Sequence, residues 1–99
     1  MKVEITESAQ ADLEHGANDY LGAGGLALAN RFIDDFERCL GLIASHPEIG
    51  SRWVASSRRL PLRQFPHSVV YRIDPEFVLI LAVAHHRRDP TDIEKGLPT

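Results

Sequence analysis

The hydrophobic positions of this chain change their spacing twice. From Lys2 to Thr6 they alternate, with Val3 and Ile5 set against Lys2, Glu4 and Thr6, which predicts a short half-buried strand. The spacing then becomes helical. Ala9, Leu13, Ala17, Tyr20 and Leu21 recur three and four residues apart. Thr6 or Ser8 supplies an N-cap, and Glu7 suits the positive end of the helix dipole. Gly22, Gly24 and Gly25 end this helix, and a second is expected from about residue 26 to 45. Its stripe is Ala29, Phe32, Ile33, Phe36, Leu40 and Ile43. Arg31, Asp34, Asp35, Glu37 and Arg38 fill a face expected to be solvated. The short glycine turn folds the two helices into an antiparallel hairpin, and Pro47 prevents the second from continuing.

After a connection over residues 46–57 the period returns to two. Residues 59–64 predict a strand with Leu60 and Leu62 on one face. Pro61 has no N–H to donate, so this strand belongs at an edge or carries a bulge. Residues 68–73 form the next strand, with Val69, Tyr71 and Ile73 on one row. Tyr71 is expected to be a core residue with a satisfied hydroxyl. Residues 77–85 form the last strand, and their unbroken apolar run argues for a central position. The bulkier row of that strand, Phe77, Leu79, Leu81 and Val83, is expected to face the helices and to bring His85 with it, leaving His86 more exposed. The order is β-α-α-β-β-β: an N-terminal strand, a helical hairpin and a three-stranded antiparallel meander, packed as a two-layer α+β domain over residues 1–99.

Composition narrows the possibilities. At 99 residues, 43% hydrophobic and 25% charged, the chain makes one ordinary globular domain. The longest apolar run, Phe77 to Ala84, is far short of the ~20 residues that span a bilayer, so no membrane role is expected. The single cysteine, Cys39, excludes an intrachain disulfide and a Cys-rich zinc site, and fits a reducing cytoplasm. The net charge of -3 argues against a general nucleic-acid binder, but it hides a split of -6 over residues 1–49 and +3 over residues 50–99. Between Ile49 and Asp74 stand Arg52, Arg58, Arg59, Arg63 and Arg72 with no acid among them. Planar guanidinium groups suit carboxylate or phosphate partners.

Three stretches carry a family resemblance: HPEIG at 46–50, RRLPLRQFPHSVVYRID at 58–74 and VLILAVAHHRRDP at 78–90. The Pro-x-x-Gly exit from the second helix, the Phe-Pro before a Val-x-Tyr-Arg strand and the ending with His, Arg, Arg and Pro resemble the RelE/ParE toxins of type II toxin–antitoxin modules. They look most like the ParE-type plasmid-stabilisation proteins. The resemblance implies a cytoplasmic toxin without metal or cofactor, bound in a hetero-oligomer by a cognate ParD-like antitoxin. It also implies one of two activities. ParE-like members inhibit DNA gyrase, whereas RelE-like members are metal-independent endoribonucleases that cut messenger RNA on the ribosome.

Two features bear on that choice. His86 is the best candidate for acid–base chemistry, and it would be catalytic only if the chain cleaves RNA. The C-terminal segment DPTDIEKGLPT has no aromatic residue, whereas many RelE-like ribonucleases place a functional tyrosine there. The ParE-like reading is therefore favoured. The ribonuclease remains the alternative, as does a decayed toxin that only binds its antitoxin. The expected partner surface is a basic open sheet face with Arg59, Arg63 and Arg72, the strand end with Arg87 and Arg88, and Trp53 either as a partner anchor or packed over the core edge.

Overall fold

A computed structural model describes residues 1–87 of the chain. Strand β1 (Lys2–Ile5) leads directly into a helical run from Glu7 to Ser45. That run is two helices. At Gly25 the backbone takes φ 81° and ψ -173°, a left-handed, extended geometry that side-chain-bearing residues avoid, and the chain reverses there. The arms are α1 (7–24) and α2 (26–45). They pack closely at Gly16, where a Cβ would lie 2.7 Å from the Phe32 ring. Gly16 is thus a notch that lets the hairpin close.

Thr6 is the N-cap, its hydroxyl accepting from the Ala9 N–H at 3.1 Å. Short 3₁₀ turns follow α2 at Pro47–Ile49 and Val54–Ser56, flanking the two-residue strand β2 (Ser51–Arg52). Then come β3 (Arg58–Pro61), β4 (His67–Ile73) and β5 (Phe77–His85). The sheet order is β1-β5-β4-β3-β2. The β3-β4-β5 meander is antiparallel as expected, but β1 joins β5 in parallel, so the five-stranded sheet is mixed. Pro61 pairs with Ser68 on one side and lies beyond the reach of β2 on the other, which satisfies its need for an edge.

The hairpin covers one sheet face and encloses the main core. Phe32, Phe36, Cys39 and Ile43 from α2 meet Val69, Tyr71, Val78, Ile80 and Val83 from the sheet. Each fully buried large side chain of this kind contributes about 1.5–3 kcal/mol. The row expected to face the helices is wrong for the first part of β5. Val78 and Ile80 point into the core, while Leu79 and Leu81 belong to the opposite face. The cause is a bulge: Val70 pairs with Ala82 but Tyr71 pairs with Ile80, so Leu81 has no partner and the alternation inverts there. After the bulge Val83 faces the helices, and His85 follows it as expected.

The face away from the helices is not an open basic surface. Val70, Leu81, Ala82 and Ala84 form a second buried apolar cluster there, with Trp53 and Leu79 packed against it. β5 is also secured where β1 leaves it. Thr6 donates its N–H and its hydroxyl to the Ile80 carbonyl, and the Asp12 carboxylate accepts from the Val83 N–H at 3.1 Å. Helix α1 therefore supplies the partners that the short β1 does not. Among the described residues no helix is long and apolar enough to cross a membrane, and no group of three or more His, Cys, Asp or Glu is placed to hold a metal ion.

Candidate functional site

The candidate residues fall into three places. The first is the face opposite the helices. Register puts Arg59 beside Val70 and Arg72 beside Leu79, both on the row of the second apolar cluster. The Arg59 guanidinium stacks over the Trp53 ring, 5.3 Å from its centroid. Trp53 is half-buried, so it packs over the cluster and offers its remaining surface beside a cation. The loop that carries it is tightly drawn. Ala55 and Ser56 both have positive φ, and the Trp53 N–H donates to the Ser57 carbonyl at 2.9 Å. Two consecutive left-handed residues without glycine mark a loop whose shape is imposed by its surroundings. Arg72 forms an ion pair with Asp74 at 3.3 Å. Arg58, its neighbour in sequence to Arg59, points the other way and donates to the Gly50 carbonyl at 2.8 Å.

The second place is the end of β5. His86 is exposed, and its Nε2 lies 3.0 Å from the Ser68 hydroxyl. Its backbone N–H donates to the Pro66 carbonyl at 2.8 Å. These two bonds latch the strand end to the start of β4. Arg87 is exposed beside it and donates its N–H to His85 Nδ1 at 3.0 Å. Arg88, also expected at this end, lies outside the described residues, as does the tail that bears on the ribonuclease reading. His85 is half-buried, its ring 4.9 Å from that of His67. His67 carries no local signal in the sequence. It is buried among Tyr20, Phe32 and His85, and its Nδ1 has no hydrogen-bond partner among the described residues. Burial, with His85 and His86 nearby, lowers its pKa to about 4.

The third place holds Arg63, and the expected grouping with Arg59 and Arg72 is incorrect. β3 ends at Pro61, three residues sooner than the alternation suggests, and Arg63 stands in the following turn against α2. Asp35 holds that turn. Only 7% exposed, its carboxylate accepts from the N–H groups of Arg63 (3.2 Å) and Gln64 (2.9 Å) and from Arg38 Nη2 (2.9 Å). Burial by itself would raise the Asp35 pKa. The two backbone N–H groups and the Arg38 guanidinium outweigh it and hold the carboxyl below its ordinary value. Asp35 is therefore a buried anchor, not part of the solvated face that helical spacing suggests. A cleft of about 250 Å³ opens here, lined by Arg31, Asp34, Asp35, Arg38, Arg63 and Gln64.

Taken together, the helical hairpin packed on one face of the mixed sheet, with arginines on β3 and β4, defines a small α+β domain. Residues 3–90 match the family described as the ParE toxin of type II toxin-antitoxin system, parDE, and the chain belongs to that family. Its fold is similar to a solved structure titled as a chromosomal ParDE TA system from P. aeruginosa. That match has a TM-score of 0.77 and 23% identity, covering 86% of this chain and 95% of the other. No curated protein matches the chain.

Proposed function

We propose that this ParE-family toxin is held inactive by a cognate ParD-like antitoxin and inhibits DNA gyrase when released. The observation that carries the proposal is the family match over residues 3–90, which takes in the helical hairpin, all of the sheet but Lys2, and every arginine named above. The partner surface on this reading is the Trp53–Arg59 stack with Arg72, together with Arg63 and the strand end bearing Arg87 and Arg88. A half-buried aromatic ring beside a guanidinium is the kind of feature that anchors protein interfaces. A complex that covers these side chains would silence the toxin by occlusion, without any chemical change to it. The hydrogen bonds of His86 support the same reading. Its Nε2 and its backbone N–H both serve the latch between β5 and β4, which gives the side chain a structural task without catalysis.

The decisive experiment is induction of the chain alone, followed by assay of the purified protein. The expected result is growth arrest relieved by the protein encoded next to it, with gyrase supercoiling blocked in vitro and RNA intact. Reproducible cleavage sites in translated transcripts, abolished by His86→Ala, would replace this reading with the ribonuclease. Unaffected growth with retained antitoxin capture would leave only the binding role.

A further inference from the structure

We propose that the cleft between α2 and the turn after β3 receives a single side-chain carboxylate from an acidic peptide segment, held between Arg31 and Arg63. The source of that peptide rests on the antitoxin reading, and the site rests on its geometry. Asp35 builds it. The buried carboxylate takes both Nε and Nη2 of Arg38 on one oxygen, at 3.2 and 2.9 Å, and fixes the backbone at Arg63 and Gln64. Arg31 stands one helical turn before Asp35, on the same face of α2. One anchor thus orders one arginine by ion pairing and a second through its main chain, and a third lies beside it.

Charge then selects the ligand. Arg38 and Asp35 neutralise each other in a pair of 2.9 Å. Arg31 and Arg63 are exposed and form no ion pair among the described residues, while Asp34 contributes one negative charge to the lining. The cleft is left with one net positive charge and two guanidinium groups free to donate. A carboxylate matches both features. A phosphate group, with nearly two negative charges, would exceed the single net positive charge of the cleft.

The test is a nuclear magnetic resonance titration of the full chain at low salt with acetylated hexaglutamate, using hexaglutamine and inorganic phosphate as comparison probes. Expected are saturable shifts of the Arg63 and Gln64 amides and of the Nε–H signals of Arg31, Arg38 and Arg63. They appear with hexaglutamate, not with hexaglutamine, and only weakly with phosphate. Arg31→Gln and Arg63→Gln each weaken binding about two- to fivefold, the range of a partly exposed ion pair. Both side chains are exposed, so the variants keep the native amide spectrum, which the same experiment reads out. Shifts that centre on Arg59 and Arg72, phosphate binding as tight as hexaglutamate, or no saturable shift would each overturn the proposal. Capture of the co-expressed neighbouring protein is scored separately. If that protein is captured but the cleft does not respond, the site is wrong and the toxin reading stands. If the cleft binds the acidic peptide and no partner is captured, the site stands and the antitoxin reading falls.

Discussion

The Gly50 amide donates to the Tyr71 hydroxyl at 2.8 Å, and that hydroxyl donates in turn to the Pro47 carbonyl at 2.6 Å. Tyr71 is fully buried at the centre of β4, so one side chain fastens the exit of α2 to the sheet. The contact is also tight. A Cβ on residue 50 would lie 2.6 Å from the hydroxyl oxygen and 2.8 Å from the Arg59 carbonyl. Gly50 has an ordinary extended backbone, so space and not conformation demands glycine there. Tyr71→Phe leaves a buried N–H and a carbonyl without their partner and should lower the unfolding free energy by about 1–3 kcal/mol. Gly50→Ala forces the tyrosine out of place and should cost about 1–3 kcal/mol through overpacking. Urea unfolding of the three proteins checks both. A Tyr71→Phe protein as stable as the parent would show that the hydroxyl fastens nothing.

This pair also shows what a linear reading could and could not reach. The buried Tyr71 row and the Pro-x-x-Gly exit were both legible, because alternation and helix breaking are local signals. Their meeting was not, since 21 residues separate the partners. The bulge at Leu81 was hidden for a different reason. Every residue from Phe77 to Ala84 is apolar, so an inverted alternation leaves no trace in the pattern. Asp35 was misplaced because helical spacing reports which face a residue occupies, not whether a distant turn docks on that face. Arg63 moved with it. The parallel pairing of β1 with β5 joins the two ends of the described chain, and no local period encodes that. Strand alternation alone puts Arg59 and Arg72 on one face, whereas the stacking of Arg59 on Trp53 depends on the loop before β3.

The glycines of the hairpin should respond in opposite directions. Gly16→Ala drives a methyl group into the Phe32 ring at 2.7 Å, and the fixed aromatic cluster around that ring limits its retreat. A loss of about 1–3 kcal/mol is expected. Gly22 lies in the same helix with nothing within 4 Å of an added Cβ. Gly22→Ala should therefore stabilise by about 0.5–1 kcal/mol, through helix propensity and a less flexible unfolded chain. Thermal unfolding followed by circular dichroism separates the two. Equal shifts of the same sign would mean that the close approach of α1 and α2 has no energetic weight.

Asp35 makes a third prediction, on pH. Its folded pKa lies below the model-compound value of 3.8, so its contribution is complete above that value and fades as pH falls through the lower folded value. Asp35→Asn keeps the shape but offers one good acceptor where four donors converge, and should cost about 1–3 kcal/mol at neutral pH. The stability gap between parent and variant should hold constant from pH 7 to about pH 4.5, then narrow in stronger acid. A gap that widens on acidification would contradict the assignment of Asp35 as an ionised anchor.

His67 works in a different window. Its folded pKa is about 4 against an ordinary 6.5, because burial disfavours the imidazolium and His85 and His86 oppose it further. Asp12 and Asp19 pull weakly the other way. The sign follows from proton binding: between the two values the unfolded chain holds a proton that the folded chain lacks. Stability is therefore complete above pH 6.5 and falls as pH drops toward 4, by about 3 kcal/mol over the whole interval. Below pH 4 this residue causes no further loss. His67→Phe places a neutral ring among Tyr20, Phe32 and His85 and removes an Nδ1 that has no partner among the described residues. The variant should be less sensitive to pH between 6.5 and 4 than the parent, whatever its stability at pH 7. Chemical denaturation at a series of pH values measures the slope, and the imidazole resonances assign the titration to one histidine. An unchanged slope in His67→Phe, or a His67 resonance that titrates near 6.5, would place the acid sensitivity of this fold elsewhere.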